Sequence, residues 1–350
     1  MREWSTSTRC CPILSSSRCR ATGSKTVGPG TWLFPATCLT ILLASCQGPS
    51  GPLVKDIVAR ESVLYAVVGG AGFCWSRDRG ATWVPLTVYG PGRPAFETLA
   101  ASGGRLFGTT ETETMVSTNG GITWSTTGRL PDAVRVYALI GRGDSLWIGT
   151  ARGVWRSADG GRTWISAGAA LAERRVFEIA FCGSVLVVSS GIRHFNIVDG
   201  GFYGERAAFR STDFGDTWFP MDSPLHGFAR LGADLFAFQW GTELFRSCDC
   251  GQNWEQVHPS STGVQLEPYV LVSNGSCLFA QGYIGSGVRG VIRSDDGGRS
   301  WTPVRIPGVK LTNVTVKSSE GVVVINGNDG DRAFLSADGG GTWSEVRVTK

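Results

Sequence analysis

The pattern Ser-x-Asp-x-Gly-x-Thr-Trp returns seven times along this chain, first as Ser76-Arg77-Asp78-Arg79-Gly80-Ala81-Thr82-Trp83 and then from Ser117, Ser157, Ser211, Ser247, Ser294 and Ser336. Successive copies begin 41, 40, 54, 36, 47 and 42 residues apart. Such a period marks stacked supersecondary units, and it excludes the two unrelated domains that a length of 350 residues would otherwise allow. Each position has a physical reason. Ser157 and Asp159 carry short side chains that accept hydrogen bonds from the backbone N–H groups of a tight turn. Gly161 supplies a positive φ that costs another residue about 1–2 kcal/mol. Thr163 and Trp164 open a strand, and the indole covers the turn, so truncating it is expected to cost about 3–5 kcal/mol where it is buried. The boxes account for twelve of the 49 glycines, and seven of the thirteen tryptophans close them.

Short apolar runs flank every box. In the third repeat the alternation predicts strands over Val134–Ile140, Ser145–Thr150, Gly153–Ser157 and Thr163–Ala167. Comparable runs recur at Val63–Val68, Arg105–Thr110, Val185–Ser189, Leu235–Phe238, Ser276–Gln281 and Val322–Asn326. Four strands per repeat, joined only locally, cannot bury two faces alone and must stack radially. The expected fold is therefore all-β, a seven-bladed β-propeller of four-stranded antiparallel blades, over residues 52–350.

The boxes resemble the BNR or Asp-box repeats of sialidases, sortilin-type receptors, oligoxyloglucan-type glycosidases and photosystem II assembly factors. The structural acids of the box are Asp78, Asn119, Asp159, Asp213, Asp249, Asp296 and Asp338; Asn119 stands for the usual Asp, and Asn253 and Ser300 stand for the usual Thr. The resemblance implies that each box joins the third and fourth strands of a blade on the face away from the ligand. It is a turn motif, so it speaks for fold and leaves chemistry open.

Residues 1–46 carry five basic residues against one acid, the whole of the net charge of +4, and the remaining chain is neutral with 28 of each sign. Nucleic acid is therefore not an expected partner. The basic stretch is followed by an apolar run, Trp32–Ala44, too short to span a bilayer, and then by Leu43-Ala44-Ser45-Cys46. That layout is a secretory signal, and its end resembles a bacterial lipobox. It predicts a signal peptide over residues 1–45, lipidation at Cys46, a Gly/Pro/Ser tether over 46–51, and an exported protein held in the cell envelope through lipid alone. Five cysteines lie beyond the leader: Cys74, Cys182, Cys248, Cys250 and Cys277. They are expected as small buried hydrophobes, with the Cys248–Cys250 spacing an oddity of its turn, since it suits neither a zinc knuckle nor a thioredoxin motif.

Candidate ligand positions lie in the loops away from the boxes. The 54-residue interval holds an insertion from Gly191 to Arg206 that reads as irregular and polar, with Arg193, His194, Asp199, Tyr203, Glu205 and Arg206. Tyr283 among glycines, and Tyr89 with Arg93, mark two further loops. An ordinary solvated insertion is the alternative for each. His194, His226 and His258 are scattered without metal-ligand spacing, so no metal and no cofactor are expected. Two functions follow. One is a non-catalytic, lipid-anchored, monomeric binding or assembly propeller that presents its loop face to a protein or glycan; an assembly factor for a photosystem is a special case of it. The other is a glycoside hydrolase resembling exo-α-sialidases, which needs an arginine triad, a Tyr nucleophile with a carboxylate and an Asp acid/base. Sialidases carry Arg-Ile-Pro before their first box and have six blades. Here Arg305-Ile306-Pro307 follows the sixth of seven boxes and is read as chance.

Overall fold

Every box occupies the connection between the third and fourth strands of a four-stranded antiparallel sheet. The computed structural model describes residues 54–346 except 69–71, 87–94, 132–134, 196–201, 240–242, 261–263, 286, 310, 312–314, 320 and 327–331, and gives the backbone alone for 192–195, 202–204, 267–269 and 315. The leader, Cys46 and the tether lie outside the described residues. There are seven sheets, each built from consecutive strands in the order first, second, third, fourth. The inner strands are Val54–Arg60, Thr98–Ser102, Val136–Arg142, Arg175–Cys182, His226–Leu231, Val264–Ser273 and Thr315–Ser319. Each touches the next, and Thr315–Ser319 touches Val54–Arg60, which closes the ring. This is a seven-bladed propeller, with no α-helix among the described residues.

Second strands such as Val63–Val68, Ser145–Thr150 and Val322–Asn326 are buried almost throughout because a neighbouring blade covers each of their faces. Fourth strands face solvent and are short. Ile165–Ser166 is all that remains of the strand expected over Thr163–Ala167, since Thr163 is held in the box. Similarly, the second strand of blade 6 begins at Leu278 and not at Ser276, whose backbone N–H donates to the Asn274 side chain in a turn.

Within the box the Ser hydroxyl donates to the Asp or Asn oxygen two residues on, at 2.7–3.0 Å, and accepts from the glycine N–H four residues on, at 2.7–2.8 Å. Asp159 also accepts from the backbone N–H and hydroxyl of Thr163. The glycine takes φ between 82° and 97° in all seven boxes. Steric room is its second role. A Cβ on Gly80 would lie 2.6 Å from Leu335 of blade 7, on Gly121 2.3 Å from Phe73 of blade 1, on Gly161 2.7 Å from Thr114 of blade 2, and on Gly298 2.3 Å from Leu244 of blade 5. Each turn is thus pressed onto the preceding blade. The tryptophans follow: Trp83 packs with Val324, Ala333 and Leu335, and Trp301 packs with Phe236, Phe238 and Leu244. Trp83, Trp124, Trp218 and Trp301 are buried, whereas Trp164, Trp254 and Trp343 are half-buried, so the full cost expected for Trp164 shrinks.

The same contact corrects the cysteine expectation. Cys250, in the box of blade 5 with φ 58°, meets Cys182 at the end of blade 4's inner strand, and the two form a disulfide with a Cα–Cα distance of 5.3 Å. Cys74 and Cys277 are buried free thiols, and Cys248 is an exposed one. The irregular insertion is a second correction. Residues 191–195 and 202–206 extend the second and third strands of blade 4, Val185–Phe195 and Phe202–Ser211, as a paired ladder. A protruding segment must satisfy its own backbone N–H and C=O groups, and cross-strand pairing does so.

Closure uses side chains. The N–H of Val54 donates to Oδ1 of Asn326 and the Val54 carbonyl accepts from its Nδ2, both at 2.9 Å, while the N–H of Ala59 donates to the Ser319 hydroxyl at 2.7 Å.

Two outcomes are expected. Gly143→Ala, at φ +61° with open space around it, loses about 1–2 kcal/mol of unfolding free energy; Gly121→Ala loses about 1–3 kcal/mol more, because the new methyl overlaps Phe73. Equal losses in urea unfolding would contradict the close approach. The hydroxyl and N–H of Thr163 hold the Asp159 carboxyl down to about 2, and Asp78, held by Thr82, lies there too. A depressed folded pKa contributes stability above the unfolded value, about 3.9, and loses it as pH falls toward 2. The melting temperature should fall across that window, with a shallower fall in Asp159→Asn.

Candidate functional site

The box sits at one end of a blade, so the second-to-third hairpins and the connections between blades lie at the other. On that open face begins an axial cavity of about 490 Å³, lined by inner strands of all seven blades. Two of the carboxylates that line it, Asp56 and Glu178, join neighbouring blades. Asp56 of blade 1 accepts the N–H of Leu99 in blade 2 at 2.8 Å and of Ile57 at 3.0 Å. Burial pushes its carboxyl above the usual range, against the pull of Lys317 and these N–H donors. Glu178 of blade 4 accepts the N–H of Gly227 in blade 5 at 2.8 Å and the Ser189 hydroxyl at 3.1 Å.

The mouth is different. The residue after the buried apolar residue at the head of successive inner segments is Lys55, Glu97, Tyr137 and Phe177. The guanidinium of Arg135 lies 5.6 Å over the Tyr137 ring, and the Tyr137 and Phe177 rings are 5.6 Å apart at 57°. Phe177 is 41% exposed, and a Cβ on Gly191 would lie 3.3 Å from its ring, so this aromatic shelf abuts the base of the long hairpin of blade 4. There the Arg174 guanidinium pairs with Glu205 at 3.2 Å and lies 5.2 Å over Phe209.

The sequence candidates are therefore divided. Glu205 and Arg206 are exposed at the base of that hairpin, and Glu205 is ion-paired. Arg193 pairs with Gly204 and His194 with Tyr203 in its ladder. Asp199, Tyr89 and Arg93 lie outside the described residues. Tyr283 belongs to blade 6, opposite Arg289 in its strand pair, and its hydroxyl accepts from Arg289 Nε at 3.2 Å. Arg135, Tyr137 and Phe177 were missed. Aligning the repeats on the buried residues Val54, Phe96, Val136 and Val176 exposes the signal: the next residue is polar or aromatic each time. On the box face, a polar cavity of about 780 Å³ between blades 5 and 6 holds Arg246, paired with Asp234 at 2.8 Å and Glu255 at 3.0 Å. No group of three His, Cys, Asp or Glu side chains able to hold a metal occurs among the described residues.

The BNR/Asp-box repeat family matches residues 115–126, the second box. With seven boxes on seven blades, this chain is an Asp-box propeller. Solved structures share the fold. YCF48 from Cyanidioschyzon merolae superposes with a TM-score of 0.54 at 16% identity, covering 84% of this chain and 95% of that one. A structure of YCF48 bound to D1 peptide gives 0.55 at 18%, covering 86% and 95%. An ancestral GH74 enzyme gives 0.51 at 14%, covering 86% of this chain and 47% of the enzyme. Comparison with curated proteins returns no match.

Removing the Glu178 carboxylate leaves the buried Gly227 N–H without its acceptor, so Glu178→Ala should cost about 1–3 kcal/mol in urea unfolding. Glu178→Gln keeps an acceptor and should cost less. A larger loss in the Gln variant would speak against the inter-blade role.

Proposed function

We propose that this Asp-box propeller is a non-catalytic binding module that holds a segment of a partner protein across the mouth of its axial cavity. The observation that carries the reading is the Arg135–Tyr137–Phe177 shelf beside the blade 4 hairpin, with Arg135 and Phe177 exposed and Tyr137 half-buried between them. Arg and aromatic side chains at the centre of a face are the types that dominate protein recognition. The commitment of Asp56 and Glu178 to neighbouring N–H groups supports binding over acid/base chemistry. The peptide carried by one YCF48 structure lends the same fold a precedent for peptide binding. Export and acylation at Cys46 belong to the proposal, and the Cys182–Cys250 disulfide supports them, because such bonds persist in oxidising compartments.

The GH74 likeness favours one rival, a glycosidase. Capture from envelope extract by the immobilised chain distinguishes them. The double variant Arg135→Ala/Phe177→Ala should lose its bound protein at least tenfold, whereas Arg299→Ala on the box face should retain it. Equal capture by both, or turnover of a fluorogenic sialoside or glucoside that the double variant abolishes, would overturn the binding reading. Intact mass of the membrane-fraction protein should show a chain starting at diacylglyceryl-modified Cys46; a chain starting at Met1 would remove the anchor.

A further inference from the structure

Away from the axial mouth, blade 6 carries an apolar groove of about 880 Å³ on the same open face. One wall is the end of its second-to-third hairpin, where Ile284 pairs with Val288. The other is formed by Pro303 to Val309 together with Leu311, on the way into blade 7, and there the Val309 N–H closes a turn on the Ile306 carbonyl at 3.1 Å. Ile306 and Leu311 form a buried floor at 7% and 8% exposure, whereas Val288 stands 58% exposed at the lip. Val288 continues the apolar lining of Ile284, Val304, Ile306 and Leu311, and it is contiguous apolar surface of this kind on which partners dock. Among the described residues, the charged groups that line it are Arg289 and Arg305, both basic. Arg289 is steered by Tyr283, with its guanidinium 5.6 Å over the ring. Arg305 is exposed and has no ion pair among the described residues. The Arg305-Ile306-Pro307 run is thus one wall of a groove, with its arginine on the rim and its isoleucine in the floor.

From this charge complementarity we infer that the blade 6 groove is a second docking site for an extended peptide that carries apolar side chains and a carboxylate, the apolar groups seated on Ile306 and Leu311 and the carboxylate held by Arg305 at the rim. The inference rests on the protein-partner reading above and adds a peptide class and a separate location. A bidentate guanidinium–carboxylate contact fixes direction as well as affinity.

The test is a permuted array of seven-residue peptides, each with Leu or Val at two positions and Asp at a third, probed with the full chain; the best binder is then titrated by fluorescence anisotropy. Saturable binding is expected, weakened at least tenfold when Lys replaces the Asp of the peptide. Val288→Asp and Arg305→Glu alter exposed positions, so their melting curves should match the parent. Each should weaken the acidic peptide at least tenfold, and Arg305→Glu should strengthen the Lys counterpart. Phe177→Ala should leave this binding unchanged, so that failure of the axial mouth and failure of the groove are read separately. The inference is overturned by absence of saturable binding, or by binding indifferent to both groove variants. Displacement of the peptide by phosphatidylglycerol vesicles, or a concentration-dependent dimer that Val288→Asp abolishes, would overturn it in favour of a lipid or a second copy of the chain.

Discussion

The contact on which this molecule depends is the pressing of each box turn onto the preceding blade. A glycine lets the turn come within a methyl's distance of its neighbour, and a tryptophan three residues on fills the wedge beside it: Gly80 and Trp83 against blade 7, Gly121 and Trp124 against Phe73 of blade 1, Gly298 and Trp301 against Leu244 of blade 5. The hydrogen bonds of Ser and Asp shape the turn, yet the glycine–tryptophan pair is what makes a repeat into a ring member. The motif is therefore a joint between units as much as a turn within one. Sequence variation that keeps the box acid but alters the glycine would be expected to harm assembly of the ring more than the turn.

The axial wall repeats the logic in polar form. Asp56 and Glu178 occupy matching places on the inner strands of blades 1 and 4, and each accepts an N–H from the next blade. Asp56 and Glu178 thus hold neighbouring blades, and Lys55, Glu97, Tyr137 and Phe177 at the mouth form the surface on which the proposed partner rests. Scaffold and site differ by a single step along the strand, because successive residues of a strand face opposite sides.

Much of this was legible in the chain. The interval between boxes defined the blades, and the apolar runs placed second strands such as Val63–Val68 and Val322–Asn326 to the residue, because both faces of those strands are buried and the run is almost unbroken. The stretches 191–195 and 202–206 misled, since their polar residues carry no apolar alternation that identifies a strand, leaving only the backbone's need for partners. The disulfide was invisible because its cysteines are 68 residues apart and meet only once a box is docked on the blade before it. The shelf at the mouth was missed for a similar reason: Arg135, Tyr137 and Phe177 come from two repeats, and no single repeat contains a motif.

Among the described residues, no blade combines strands from the two ends of the chain. Every blade is made of consecutive residues, and the seam between blades 7 and 1 is closed by the Asn326–Val54 pair, Ser319 and packed side chains. Across the ring from that seam, Cys182 and Cys250 join blades 4 and 5 covalently. The propeller is in effect a bracelet with a snap fastener on one side and a riveted link on the other. Tension applied through the chain ends falls first on the fastener, and the bracelet springs open there while its riveted side keeps the blades of the long hairpin together.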